Sequence, residues 1–189
     1  MISAILLAAG ESKRMSGRNK LIEEIDNKPL LVHSVNNILA SSVKELIIVL
    51  GHQKEIIEKL IDKNERIKFV FNKNFANGMS TSIKIGLSNL SEKTEAFFIC
   101  LGDMPYVNPN IYNQLIEKKS IKEIIVPTYK RQQGNPILFS ISMKEKIMKI
   151  EGDAGAKKIL TVEKNKVLNF ETNNAGVTKD YNTLDSFNN

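Results

Sequence analysis

Four cations, Lys13, Arg14, Arg18 and Lys20, crowd the polar stretch that follows the apolar residues 4–8 and the pair Ala9-Gly10, and Glu11 is the one acid among them. A strand that ends in glycine and opens into a polar loop lets backbone N–H groups approach a ligand with no Cβ in the way. Arg14 and Lys20 add long cationic arms, which suit the charge of a triphosphate. The loop is neither the G-x-x-x-x-G-K-[ST] phosphate loop nor G-x-G-x-x-G. An ordinary solvated strand-to-helix loop carrying lysines is the plainer alternative.

Three further stretches hold residues fit for chemistry. In LGDMPYV, Asp103 follows the most apolar run of the chain, flanked by Gly102 and stiffened by Pro105. A carboxylate at such a strand end is a candidate Mg²⁺ ligand, since that hard cation takes one or two carboxylates together with phosphate oxygens. A turn or N-cap role for Asp103 is equally in keeping with Asp-x-Pro. In FANGMSTSIKIGL, Asn77-Gly78 makes a turn and Ser80 is expected to cap the next helix, which leaves Ser82 to face a ligand. In QGNPILF, Gly134-Asn135-Pro136 opens a late strand, and in EGDAGAKKIL Asp153 precedes a helix that it is expected to cap. A second substrate could dock at these two stretches.

The rest narrows the chemistry. His33 lies in a helical pattern and His52 at a strand end, and both are expected to be structural. No nucleophile elbow and no Cys/His zinc spacing occurs. The lone Cys100 sits in the apolar AFFICL and is expected to be a buried, inert thiol.

These residues need a scaffold, and the patterning supplies one. Residues 3–8, 45–50, 67–71, 96–101 and 123–126 form apolar runs of strand length, several too continuous to have a polar face. Pro29, expected in a first turn, opens a helical spacing of Leu30, Leu31, Val35, Ile38 and Leu39, and the spacing recurs over 53–63, 80–87 and 110–119. Strand–helix alternation of this kind implies a three-layer, Rossmann-like α/β fold with a mainly parallel sheet, whose ligands sit beyond the carboxyl ends of the strands. The late strands 135–139 and 166–170, with two more helices, are expected to form a small C-terminal lobe over the site. No linker or repeat divides the 189 residues, so one domain spanning 1–189 is expected.

Bulk properties exclude other classes. Hydrophobic residues at 42% and charged residues at 25% describe a globular chain. No apolar run reaches the roughly 18 residues of a membrane span, and the N-terminal segment lacks a signal peptide's leading cations, so a cytoplasmic protein is expected. The net charge of +6 comes with only 6% aromatics and no tryptophan, and the lysines are dispersed, so neither nucleic acid nor membrane is an expected partner. An anionic small substrate suits the charge equally well.

Taken together, LLAAGESKRMSGRNKL, LGDMP, NGMSTSIKIGL, GNPILF and GDAGAKKIL resemble the motifs of nucleotidyltransferases with a MobA-like (glycosyltransferase-A-like) fold. The set most resembles the molybdenum cofactor cytidylyltransferase branch, over nearly the whole chain. The resemblance implies that Leu7, Ala8, Ala9 and Gly10 wrap the nucleotide with backbone groups and that Arg14 and Lys20 hold its phosphates. It implies that Ser82 contacts the base near Gly78, that Asp103 next to Gly102 binds Mg²⁺, and that Gly134, Asn135, Pro136 and Asp153 lie on the acceptor side. Guanylyl-transferring relatives typically carry Leu-Ala-Gly-Gly where this chain has Leu7-Ala8-Ala9-Gly10, which leans towards CTP. Two departures stand out. Ser16 replaces the usual glycine after Arg-Met, and the C-terminal KDYNTLDSF matches the family only at Asp180, Asn182 and Thr183, leaving the second metal contact open between Asp180 and Asn182.

The activity so implied is Mg²⁺-dependent transfer of CMP from CTP to the terminal phosphate of molybdopterin or its molybdenum form, with release of pyrophosphate. That acceptor is already an anion, in keeping with the lack of a catalytic histidine. Guanylyl transfer from GTP, or transfer to another phosphorylated acceptor, is the alternative within the class. A non-catalytic molybdopterin chaperone serving a molybdenum hydroxylase is the alternative outside it, and transient contact with such a hydroxylase is expected in either case.

Overall fold

The computed structural model describes residues 1–12, 18–152 and 155–181. The first strand, β1 (Ile2–Ala8), leads to a short antiparallel pair, β2 (Glu24–Ile25) and β3 (Lys28–Pro29), and then to α1 (Leu30–Leu39). Next come β4 (Glu45–Leu50), α2 (Lys54–Lys59), β5 (Ile67–Phe71), α3 (Met79–Ser88), β6 (Ala96–Leu101) and α4 (Pro109–Glu117). The chain ends with β7 (Ile124–Tyr129), β8 (Gln132–Gln133), β9 (Ile137–Ser140), α5 (Lys144–Ile147), α6 (Lys157–Val162) and β10 (Val167–Glu171).

Eight strands form the main sheet, in the order β10-β7-β9-β6-β1-β4-β5 with β8 beside β7. The pairs β1–β4, β1–β6, β4–β5 and β7–β10 are parallel, whereas β9 runs antiparallel to both β6 and β7. Strand periodicity divides the core into two layers. Ala4, Leu6, Leu46, Ile48 and Phe98 face α1 and α4, which supply Leu31, Val35, Ile38, Tyr112 and Leu115. Ile5, Ile47, Val49, Phe97 and Ile99 face the other side, against Ile83 and Leu87 of α3, Ile147 of α5 and Ile159 of α6. Burial on both faces is why these strands carry no polar alternation. The three-layer, mainly parallel α/β arrangement is the one the sequence implies.

Several local expectations need adjusting. The C-terminal strands do not make a sheet of their own: β9 is inserted between β6 and β7, and β10 adds to β7. They pair there because Ile137, Leu138 and Phe139 are buried in the common core. The second helix covers Lys54–Lys59 rather than 53–63, since Gln53 adopts a left-handed φ of 53° before it and the polar stretch 62–65 follows it. Pro29 is the N-cap of α1, not a residue of its first turn. The start of α3 is Met79, after Gly78 with a φ of 104°, so Ser80 lies inside the helix and caps nothing. Its N–H donates instead to the Gly152 carbonyl at 3.1 Å.

Candidate functional site

From β1 the chain moves to β4 and β5 on one side, then returns to place β6 on the other side of β1. At such a reversal the connections leave the carboxyl ends of neighbouring strands in opposite directions and open a crevice, the usual ligand site of an open α/β sheet. A cavity of about 450 Å³ lies there. Its walls come from the loop after β1, from Phe75 to Ser82, from the end of β6, and from Asp180.

The β6 end is held tightly. Gly102 N–H donates to the Leu7 carbonyl at 3.1 Å, and the Ser34 hydroxyl donates to the Gly102 carbonyl at 3.1 Å. A Cβ on Gly102 would stand 3.0 Å from Leu31 Cδ1 and 3.1 Å from that Leu7 oxygen. Glycine therefore lets the chain turn close against β1 and deliver Asp103, which is 8% exposed. The Asp103 carboxylate forms an ion pair with Lys20 Nζ. On its backbone side, the Asp103 carbonyl accepts the Tyr181 N–H at 3.1 Å, and this bond brings Asp180 to the cavity rim.

Lys20 is aimed by a clasp within its own loop. Ser12 Oγ accepts the Lys20 backbone N–H at 3.1 Å, and Asn19 Oδ1 accepts the Leu21 N–H at 3.1 Å. Ser12 has a φ of 53°, so the chain leaves β1 through a left-handed residue. On the opposite wall, α3 presents Ser82. Its Oγ accepts a hydrogen bond from Asn72 Nδ2 at 2.9 Å.

Lys20, Asp103, Leu7, Ala9, Gly10, Gly78, Ser82, Gly102 and Asp180 thus meet at one cavity. Ala8 is buried in the core beside Leu50, and its side chain is no part of the lining. Gly134, Asn135 and Pro136 also lie outside the lining: Asn135 N–H donates at 2.8 Å to the Val177 carbonyl in the 3-10 turn Ala175–Thr178. Arg14, Asp153 and Asn182 fall outside the described residues, as does Ser16. The two histidines serve structure: His33 Nε2 bonds the Ile25 carbonyl at 2.7 Å, and His52 lies against the Phe75 ring. Cys100 is fully enclosed, and burial pushes its thiol far up, out of nucleophilic range.

The sequence did not single out Ser12, Asn19, Leu21, Asn72, Phe75 or Met79. Ser12 is the one with a visible signal, as a hydroxyl inside the cationic loop. Asn72 had only its place directly after an apolar strand.

The donor set fits a hard divalent cation. Two carboxylates, Asp103 and Asp180, face one cavity, and among the described residues no group of three or more His, Cys, Asp or Glu side chains gathers as a self-sufficient metal cage. A cation held here would complete its shell with ligand oxygens and water, the Mg²⁺ habit at phosphate sites.

Residues 4–167 match the model of the MobA-like NTP transferase domain. A probable molybdenum cofactor guanylyltransferase from Methanosarcina mazei is 33% identical over 153 residues, which are 79% of this chain and 66% of that protein. The chain thus spans just under two-thirds of that relative. Among solved structures, Rv0371c from Mycobacterium tuberculosis H37Rv is 22% identical with a TM-score of 0.88, covering 99% of this chain and 95% of that one. Its complex with manganese gives a TM-score of 0.83 at 21% identity, covering 99% and 96%. At these identities the structural likeness speaks for the fold.

Proposed function

The chain belongs to the MobA-like NTP transferase family, and we propose that it transfers a nucleotidyl group, CMP from CTP, to the terminal phosphate of molybdopterin or its molybdenum form. The observation that carries this is the convergence of Lys20, Asp103, Asp180, the glycine-ended β1 loop and Ser82 on one cavity at the sheet's reversal point. Phosphate chemistry needs the charged wall, and base recognition the hydroxyl-bearing one, and both line the same cavity.

In this reading an oxygen of the acceptor phosphate attacks the α-phosphorus as the bond from that phosphorus to the bridging β-oxygen breaks, and pyrophosphate leaves. The acceptor is already ionised, so no side chain has to remove a proton. Backbone groups of Leu7, Ala8, Ala9 and Gly10 approach the nucleotide, and Lys20 and Arg14 offset the charge on its phosphates. Asp103 and Asp180, with Asn182 as an uncharged alternative, would hold Mg²⁺, which as a Lewis acid neutralises phosphoryl charge. Gly78 and Ser82 meet the base. Gly134, Asn135, Pro136 and Asp153 would serve the acceptor, Asn135 acting indirectly through its bond to the turn Ala175–Thr178 that leads to Asp180. Alignment of two anions against fixed cations supplies the rate.

A second reading, guanylyl transfer from GTP, is favoured by the naming of the 33%-identical relative as a guanylyltransferase. Thermal unfolding with Mg²⁺ and each of CTP, GTP, ATP and UTP separates the two. A ligand at a hundred times its Kd adds about 2.7 kcal/mol, which raises the Tm of a chain this size by roughly 2–4 °C per kcal/mol. A Mg²⁺-dependent shift with CTP alone is expected. A shift with GTP alone turns the assignment to guanylyl transfer, and molybdopterin binding with no nucleotide shift and no pyrophosphate release turns it to a cofactor carrier.

A further inference from the structure

Behind the Ser82 hydroxyl lies a buried amide that none of the roles above uses. Asn72 follows directly on β5, is 1% exposed, and donates its backbone N–H to the Leu50 carbonyl at 2.8 Å. The orientation of its side chain is fixed by chemistry. The Asn74 backbone N–H can only donate, and it meets Asn72 Oδ1 at 2.9 Å, so the atom facing it must be the oxygen. The amide nitrogen is therefore turned to α3. It donates one N–H to Thr81 Oγ1 at 2.8 Å and the other to Ser82 Oγ at 2.9 Å.

The two hydroxyls then differ. Thr81 has carbonyls to donate to, Gly78 at 2.8 Å and Asn74 at 3.0 Å, so its proton is committed inside the protein. Ser82 cannot return its proton to Asn72, because an amide nitrogen does not accept. Among the described residues no other group takes it, and Ser82 lines the cavity.

We propose that Asn72 is a positioning residue that sets the hydrogen-bond polarity of Ser82, so that the cavity presents a hydroxyl donor and selects a nucleobase edge bearing an acceptor, such as a ring carbonyl oxygen. The proposal rests on the nucleotide reading and refines it. A base carbonyl placed against Ser82 completes the chain Asn72 to Ser82 to base. An exocyclic amine placed there sets donor against donor and leaves a buried polar group unmatched.

Asn72→Asp tests this with almost no change in shape. It keeps an oxygen for the Asn74 N–H but replaces the donating nitrogen with an acceptor, so the Ser82 proton turns inward and a lone pair faces the cavity. Affinities for CTP, GTP and inorganic triphosphate are measured by calorimetry with Mg²⁺ for the unaltered chain, Asn72→Asp, Ser82→Ala and the double variant. Inorganic triphosphate carries no base. Affinity for the nucleotide that the unaltered chain prefers is expected to fall about tenfold relative to inorganic triphosphate in Asn72→Asp. Ser82→Ala should give a similar loss, and the double variant no further one. An unchanged ratio, or an equal fall for all three ligands, overturns the inference alone. No affinity of the unaltered chain for CTP or GTP overturns the nucleotide reading, and this inference with it. If Asn72→Asp does not fold, NMR of the Asn72 side-chain amide decides: Ser82→Ala should move one of its two N–H signals, and unmoved signals refute the link.

Discussion

Lys20 and Asp103 lie 83 residues apart in the sequence, yet their side chains pair at the cavity wall. Asp103→Asn keeps the volume and removes the charge. If Asp103 is the principal metal-holding carboxylate, Mg²⁺-dependent pyrophosphate release should drop about 10²–10³-fold, the loss that follows removal of one group stabilising a transition state. Retention of turnover at the native Mg²⁺ requirement would move the metal away from Asp103. Residues of this kind were legible in the sequence because their types stand out: a lysine among the cations of a polar loop, and a carboxylate one glycine beyond an apolar run. Ser12 showed only as a hydroxyl in the cationic loop, and Asn19 and Asn72 did not show, because their roles lie in which atom accepts from which across segments, and no spacing encodes that. Ser80 shows the same limit. Its position before a helical run suggested a cap, but Gly78 took the turn and moved the helix start one residue earlier.

Elements are fixed by how closely they approach. Helix α3 carries Ser82 and lies against β1 through Gly86, where an added Cβ would come 2.3 Å from Ile5 Cγ2. Gly86→Ala forces the helix off the strand, an overpacking that costs about 1–3 kcal/mol. The expected fall in Tm, at roughly 2–4 °C per kcal/mol, is read by circular dichroism, and an unchanged Tm would show that the helix can withdraw freely. The opening of β6 is held differently. The Met1 ammonium first, and Lys119 second, hydrogen-bond the Glu95 carboxyl and pull it down to about 2 from its ordinary 4.5. A lowered carboxyl contributes stability that is present above its unfolded value and lost as pH falls through its folded value. Acid titration of unfolding should therefore show a loss between about pH 4.5 and about pH 2 that Glu95→Gln lacks. It should be small, since water screens an exposed carboxyl, and identical acid profiles would remove the contact from the balance. Unbroken apolar runs of strand length showed the central strands, and 3.6-residue spacing showed α1, α3 and α4, because their apolar faces are continuous. That spacing overran α2, where a single buried residue, Ile57, anchors the helix.

At the scale of the whole molecule, the last part of the chain reaches back to complete the rim of a cavity begun by the first strand. Sequence patterning showed the late strands but set them in a lobe. Their insertion beside β6 and β7 depends on pairing between distant segments, which local periodicity does not carry. One consequence ties the Gly134-Asn135-Pro136 stretch to the Asp103 and Asp180 wall without any contact with the cavity. Asn135 N–H holds the Val177 carbonyl, and a Cβ on Gly134 would stand 2.1 Å from that same oxygen. Gly134→Ala must therefore push back the turn Ala175–Thr178, which leads directly to Asp180 and to the Tyr181 N–H bonded to Asp103. If Asp180 shares the cation with Asp103, this substitution should raise the Mg²⁺ concentration that half-saturates the nucleotide-induced thermal shift. The shift given by the same nucleotide in chelator should stay as it was. A raised Mg²⁺ midpoint would show the late chain acting on the metal through the turn. An unchanged midpoint in a folded but less stable variant would confine Gly134 to packing and leave Asp103 to hold the metal without Asp180.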